Sequence, residues 1–138
     1  MKIMGLDIGK ARIGVAMCDE LEILATGYET IYCKSLTKDV LRVVEIINKF
    51  NISKVVVGLP LQMNGEEGDM AQYVHLFCEK ILTFKPVEII FIDERLSSVQ
   101  ASEILYNSGA KRNKKKQVLD QVAASLILQS YLDRKKEF

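Results

Sequence analysis

Three short apolar runs fill the start of this chain, and they stand too close together for any helical crossover between them. They are Lys2 to Leu6, ending at Asp7, then Arg12 to Cys18, then Ile23 to Tyr32. A parallel connection needs a dozen or more residues, so these runs must pair as antiparallel neighbours. Gly9 supplies the tight turn between the first two.

The pattern then changes period. Val40, Val43, Val44 and Ile47 recur at helical spacing, which predicts an amphipathic helix over Lys38 to Phe50. Lys54 to Leu59 (KVVVGL) is a nearly continuous apolar strand, as expected for a sheet covered on both faces. Pro60 stops it, and Leu61 to Gly68 reads as a loop. Asp69 to Phe84 reads as a helix with Pro86 at its exit, and Val87 to Ile92 as a second buried strand that runs into Asp93-Glu94-Arg95. Ser97 with Gln100 forms a capping-box pattern that opens a helix to Asn107, and Gly109 ends it. A basic loop follows, and Gln117 to Arg134 reads as the last helix.

The predicted order is βββ-α-β-α-β-α-α. Right-handed crossovers place the two later strands beside the first, giving an α/β fold: a mixed five-stranded sheet of order 3-2-1-4-5 with helices on both faces. At 138 residues the expectation is one domain, 1–138. A chain that is 49% hydrophobic and 27% charged has the profile of a folded soluble protein, not of a disordered tail or a fibre.

Net charge is +1, so bulk charge selects no partner. The distribution is more telling. Lys111, Arg112, Lys114, Lys115 and Lys116 crowd one stretch, and Arg134, Lys135 and Lys136 lie near the end. Such runs either face phosphates or form a solvated surface. Cys18, Cys33 and Cys78 are odd in number and lack a CxxC pair, which argues against a disulfide framework or a zinc site and for reduced thiols. Asp7, Lys10 and Arg12 interrupt the first apolar stretch, so no signal peptide is expected. No apolar run approaches membrane-spanning length, and the expected location is the cytoplasm.

Two acids end apolar strands: Asp7, before Ile8-Gly9, and Glu94, inside Asp93-Glu94-Arg95. If those strands run parallel in one sheet, their carboxyl ends share the edge where open α/β sheets bind ligands. Strand alternation points Asp93 and Glu94 to opposite faces, so only one of them serves a common site. The third acid is Asp120, on the same helix face as Ala123, Ala124 and Ile127. A carboxylate on such a face is costly unless it is paired or metal-bound, and the small alanines would let the helix approach the sheet closely. Three converging carboxylates call for hard divalent cations, and Mg²⁺ (or Mn²⁺) suits oxygen ligands shared with substrate phosphates. Two such ions, roughly 3.5–4 Å apart, would activate a water and stabilise the leaving oxygen of a phosphodiester.

Each residue also has a plainer reading. Asp7 is also a reasonable turn residue, Glu94 a partner for Arg95 or solvent, and Asp120 one half of a helix-end salt bridge. Arg12 either holds a phosphate or is a solvated charge at a strand start. His75, the only histidine, lacks partners at metal-ligand spacing, so a surface or packing role is expected and a Ser-His-Asp system is not. Tyr28, Tyr32, Tyr73 and Tyr131 form no stacking pattern in the sequence. Gly5-Leu6-Asp7-Ile8-Gly9 lacks GxGxxG spacing and sits closer to the strand-turn-strand phosphate loop of the actin and sugar-kinase superfamily. Those proteins close two domains over ATP, and this chain has length for one.

Gly5-Leu6-Asp7-Ile8-Gly9 with Arg12-Ile13-Gly14-Val15-Ala16, Val57-Gly58-Leu59-Pro60-Leu61, Asp93-Glu94-Arg95-Leu96-Ser97, and Asp120-Gln121-Val122-Ala123-Ala124 together resemble the YqgF family. That bacterial family is described both as Holliday junction resolvases and as pre-16S rRNA nucleases. The four motifs occur in the family's order and span nearly the whole chain. The resemblance implies an RNase H-like fold and a cytoplasmic nuclease maturing the 5′ end of small-subunit ribosomal RNA. It puts the family's acidic positions on Asp7, the Asp93-Glu94 pair (with Glu94 favoured) and Asp120. Ser97-Ser98 replaces the usual Ser-Thr and keeps a hydroxyl.

The expected partner is a nucleic acid, either structured RNA or branched DNA, with no membrane and with the protein acting as monomer or homodimer. Arg12 and the run Lys111, Arg112, Lys114, Lys115 and Lys116 are its expected contacts. Two alternatives are a Holliday junction resolvase, which needs a symmetric dimer, and a non-catalytic nucleic-acid-binding module.

Overall fold

The structure of the chain, a computed structural model, describes residues 2–62, 64–93 and 112–136, with the backbone alone at 112–117 and 136. Five strands and three helices are seen among these residues. They run β1 (Lys2–Ile8), β2 (Arg12–Cys18), β3 (Ala25–Tyr32), α1 (Leu36–Phe50), β4 (Ile52–Leu59), α2 (Asp69–Phe84), β5 (Glu88–Asp93) and α3 (Arg112–Lys136).

The sheet order is β3-β2-β1-β4-β5, as the sequence predicts. β1 pairs antiparallel with β2, which pairs antiparallel with β3, and the short links leave no other choice. β4 lies parallel to β1, and β5 parallel to β4, each reached through a helix. The carboxyl ends of β1, β3, β4 and β5 therefore share one edge.

Two apolar layers sandwich the sheet. On one face Met4, Leu6, Ile8, Ile13, Val15, Val55 and Val57 pack against Val40, Val43 and Ile47 of α1 and Val74, Phe77 and Ile81 of α2. On the other face Ile3, Ala16, Val56 and Ile92 meet Ala124, Ile127, Leu128 and Leu132 of α3. Each large side chain fully removed from water, such as Phe77, contributes about 1.5–3 kcal/mol.

Local chemistry sets the helix ends. Ser35 caps α1 by accepting the Lys38 N–H at 3.2 Å, and Asn51 closes it in the left-handed region at φ 52°. That left-handed turn feeds directly into β4. At the start of α3 the structure corrects the sequence reading, which places a basic loop up to Lys116 and opens the helix at Gln117. The helix opens at Arg112, and residues 112–116 form its first turns. Arginine, lysine and glutamine are good helix formers, and no glycine or proline stands among them to break the helix. The helix expected over Ser97 to Asn107 lies outside the described residues. Among those that are described, no helix is long and apolar enough to cross a membrane.

Candidate active site

Asp7 is the penultimate residue of β1 and lies half-buried on the face covered by α3, in alternation with Ile3 and Gly5. Its cross-strand partner is Gly14. A Cβ built on Gly14 would fall 1.9 Å from the carbonyl oxygen of Asp120, so only glycine lets α3 come this close. Two turns further on the same contact recurs, where a Cβ on Gly5 would lie 2.8 Å from Leu128 Cβ and 2.9 Å from the Ala124 oxygen. The buried alanines Ala123 and Ala124 complete this close approach. Asp7 and Asp120, 113 residues apart in sequence, thus both adjoin Gly14.

Asp120 is held as well as placed. Its Oδ2 accepts from Nε of Arg12, the first residue of β2, at 2.7 Å. The Arg12 side chain is 30% exposed and that of Asp120 15%, so the pair is only partly shielded from water. The alternative of a salt bridge at Asp120 and the alternative of a solvated Arg12 are therefore resolved together: the two residues pair with each other. The guanidinium shows that this carboxylate edge recruits positive charge.

The backbone around the pair is tied down. Gly9 N–H donates to the Arg12 carbonyl at 3.0 Å, closing the β1–β2 turn, and Cys33 N–H donates to the Ala11 carbonyl at 3.0 Å. The Cys33 thiol donates to the Gly9 carbonyl at 3.6 Å. Burial, first of all, pushes that thiol up to about 11, with the nearby Asp39 adding to the rise, Arg12 opposing it and Asp120 adding a little. Cys33 thus lies within the electrostatic field of both members of the ion pair.

Asp93, at the end of β5, is exposed and alternates with Ile89 and Phe91, away from the face that holds Ile90, Ile92 and α3. The Phe91 ring packs on His75 of α2, with centroids 4.8 Å apart, which confirms the face. Asp93 therefore does not join Asp7 and Asp120. Glu94 and Lys111 lie outside the described residues. Arg112, Lys114, Lys115 and Lys116 are seen as helix backbone entering α3, two turns before Asp120. His75 Nε2 lies 2.8 Å from a Glu67 carboxylate oxygen, in keeping with the surface and packing role read from the sequence.

Among the described residues no group of three acidic, histidine or cysteine side chains is gathered for a metal, and on the α3 face of this edge the described carboxylates are Asp7 and Asp120. Their oxygens are the hard donors a Mg²⁺-type ion takes, and only one Asp120 oxygen is engaged by Arg12, so the residues fit such an ion.

Sequence reasoning missed a set of cations at the same edge. Lys10 in the β1–β2 turn, Lys34 after β3 and Lys38 in the first turn of α1 are all exposed here. They are scattered along the chain, and only the sheet order brings their segments together.

Comparison with known proteins adds the following. A model of the family RuvX, Holliday junction resolvase, matches residues 1–134. A protein of Carboxydothermus hydrogenoformans named "Putative pre-16S rRNA nuclease" is 42% identical over 137 residues, covering 99% of each chain. Among solved structures, Thermus thermophilus RuvC superposes with a TM-score of 0.63 at 12% identity, covering 99% of this chain and 97% of that one. The Fowlpox virus resolvase, solved with Holliday junction DNA, gives 0.59 at 14% identity over 98% and 99%. At such identities the two structures establish a shared fold, that of the RNase H-like nucleases.

Proposed function

This chain belongs to the RuvX family of Holliday junction resolvases, and from that premise we propose that it hydrolyses phosphodiester bonds of structured RNA in the cytoplasm with Asp7, Glu94 and Asp120 as its acidic centre. It is a hydrolase of a nuclease family. The observation that carries the assignment of the centre is the convergence of Asp7 and Asp120 on Gly14 at the carboxyl edge of the sheet. Glu94 is the third member on sequence grounds, supported by the exclusion of its neighbour Asp93 from that face.

Asp7 and Asp120 would hold Mg²⁺ or Mn²⁺, and Glu94 would complete the set. When bound, the ions supply an activated water and charge stabilisation at the leaving oxygen. The chain's own residues do the remainder. Asp7 is fixed by strand pairing, and Asp120 by the seat of α3 on Gly14, so neither has to be ordered when substrate arrives. Arg12, beside Asp120, would receive a phosphate oxygen of the substrate. Arg112, Lys114, Lys115 and Lys116 at the start of α3, and Lys111 before them in sequence, would hold more distant phosphates.

RNA is favoured by the name of the Carboxydothermus relative, and the expected substrate is the 5′ end of pre-16S rRNA. The second reading, a resolvase of four-way DNA, is favoured by the family's description and by the Fowlpox enzyme solved with a junction. Labelled precursor rRNA and a four-way DNA junction, incubated side by side with and without Mg²⁺ or Mn²⁺, separate the two. Metal-dependent cutting of the RNA alone supports the first. Paired symmetric cuts in the junction by a dimer support the second. Binding without cutting of either would leave only the non-catalytic module.

A further inference from the structure

β3 is an edge strand, and beside it lies a cleft of about 390 Å³ whose walls include Tyr32 and Lys34 on one side and Lys38, Asp39 and Arg42 of α1 on the other. This is within the size of ligand-binding clefts, about 300–1,000 Å³. Its acids are already satisfied. Glu29 is clamped by Arg42 through two bonds, at 2.9 and 2.5 Å. The Asp39 carboxylate is 3% exposed and accepts the Lys34 backbone N–H at 2.9 Å. Lys34 and Lys38 are exposed and have no ion-pair partner among the described residues, so the charge the cleft shows to solvent is positive.

Strand pairing links the cleft wall to the candidate centre. Tyr32, 54% exposed, is the cross-strand partner of Arg12, whose guanidinium holds Asp120. Cys33, between Tyr32 and Lys34, is bonded to the β1–β2 turn that carries Lys10. A path of cations and one open aromatic ring therefore leads from Arg12 around the edge of the sheet.

We propose that this β3–α1 cleft is a binding site for the single-stranded flank of the nucleic-acid substrate, with Lys34 and Lys38 on its phosphates and Tyr32 under one base. The inference rests on the functional reading above. Ammonium groups without partners attract phosphates through counterion release, and an exposed ring gives any base a stacking surface. A peptide strand added to the β3 edge would use main-chain bonds and would not need the two lysines.

The test is fluorescence anisotropy of a labelled single-stranded RNA oligonucleotide, and of the DNA of the same sequence, titrated in EDTA at several salt concentrations. The double variant Lys34→Ala, Lys38→Ala is expected to bind about tenfold or more weakly, with the log–log salt slope lowered by about 1.4. Tyr32→Ala is expected to lose about tenfold with the slope unchanged. All three side chains are exposed, so thermal unfolding at the wild-type temperature would show that the loss is not one of folding. Variants that bind as tightly as wild type, with an unchanged slope, would overturn the cleft assignment and leave the nuclease centre standing. If the wild type itself binds neither strand, the cleft assignment falls, while the nuclease reading is decided separately by metal-dependent cutting of precursor rRNA.

Discussion

Arg12 Nε lies 2.7 Å from Asp120 Oδ2, joining the first residue of β2 to a residue 108 positions further along the chain. The contact is charge-assisted but only partly sheltered, and it occupies an oxygen that a divalent cation would also seek. Guanidinium and metal therefore oppose each other at Asp120, and the Coulomb term between a unit charge and a dication exceeds the worth of ordering one carboxylate.

Arg12→Met should on this ground bind Mn²⁺ more tightly, by about tenfold, as read by calorimetry. In metal-free buffer the same variant should lose about 1 kcal/mol of stability in urea unfolding, since the ion pair is part-exposed. Cleavage should slow despite the tighter metal, because the phosphate has lost its partner. Weaker Mn²⁺ binding would show that Arg12 organises the metal site and does not compete with it.

Gly14→Ala puts a methyl group where the Asp120 carbonyl now sits, at 1.9 Å, and backbone cannot yield as a long side chain can. Moving α3 costs buried contacts along its whole apolar face, so the loss should reach about 3 kcal/mol or more, roughly 10 °C in melting temperature. Gly65→Ala is the control. Gly65 has a φ of +87° with nothing within 4 Å of the added methyl, so it should cost only about 1 kcal/mol of backbone strain. Equal melting points for the two variants would refute the tight seat of α3.

The sheet was legible because its constraints are local. Arg12 to Cys18 and Asp69 to Phe84 match the observed elements residue for residue, their ends marked by turn and breaker residues. Strand order followed from the short links for the first three strands and from the right-handed crossover rule for the last two. The start of α3 was not legible, since a run of lysines reads as loop by charge and as helix by propensity, and helix propensity won. For the candidate site, Asp7 and Asp120 stand out in the sequence because an acid on an apolar strand end or a small-residue helix face is an anomaly, and the fold brings both beside Gly14. The resemblance to the YqgF family points to the same two positions, and the match over residues 1–134 bears out the family resemblance itself. The Arg12–Asp120 pair and the cations Lys10, Lys34 and Lys38 carry no such mark, because surface charges at unrelated positions become neighbours only through the fold.

The three thiols should be inert in the native protein. Burial raises Cys33 to about 11 and Cys78 to about 12, and raises Cys18 as well. Near pH 8 a rise of about two units leaves roughly a hundredth of the ordinary thiolate. Reaction of Cys33 with a disulfide reagent should therefore be about a hundredfold slower in the folded than in the urea-unfolded chain. The stability consequence has a definite sign. The folded values lie above the unfolded value of 9.0, so the native state keeps protons that the unfolded chain releases. Stability should be intact below 9 and drain away as pH climbs towards 11–12, and Cys33→Ala should flatten that decline in urea midpoints. An unchanged slope would mean that Cys33 is not sheltered.

Substitution of the acids at the sheet edge decides the centre. Asp7 shares the α3 face with Asp120, whereas Asp93 shares its face with Phe91 and, through that ring, with His75 of α2. Asp7→Asn and Asp120→Asn should each lower metal-dependent cleavage by about a hundredfold or more, since loss of an outer-shell partner alone costs 10–100-fold. Asp7→Asn should stay within about 1 kcal/mol of wild-type stability, because it removes one of several repelling charges. Asp93→Asn should keep most of the activity, and Glu94→Gln should lose it. The decisive measurement is the ratio of the last two rates on labelled precursor rRNA. If Asp93→Asn is the inactive one, the strand alternation that puts its neighbour in the site has been read in the wrong register, and the carboxylates must meet on the other side of the sheet.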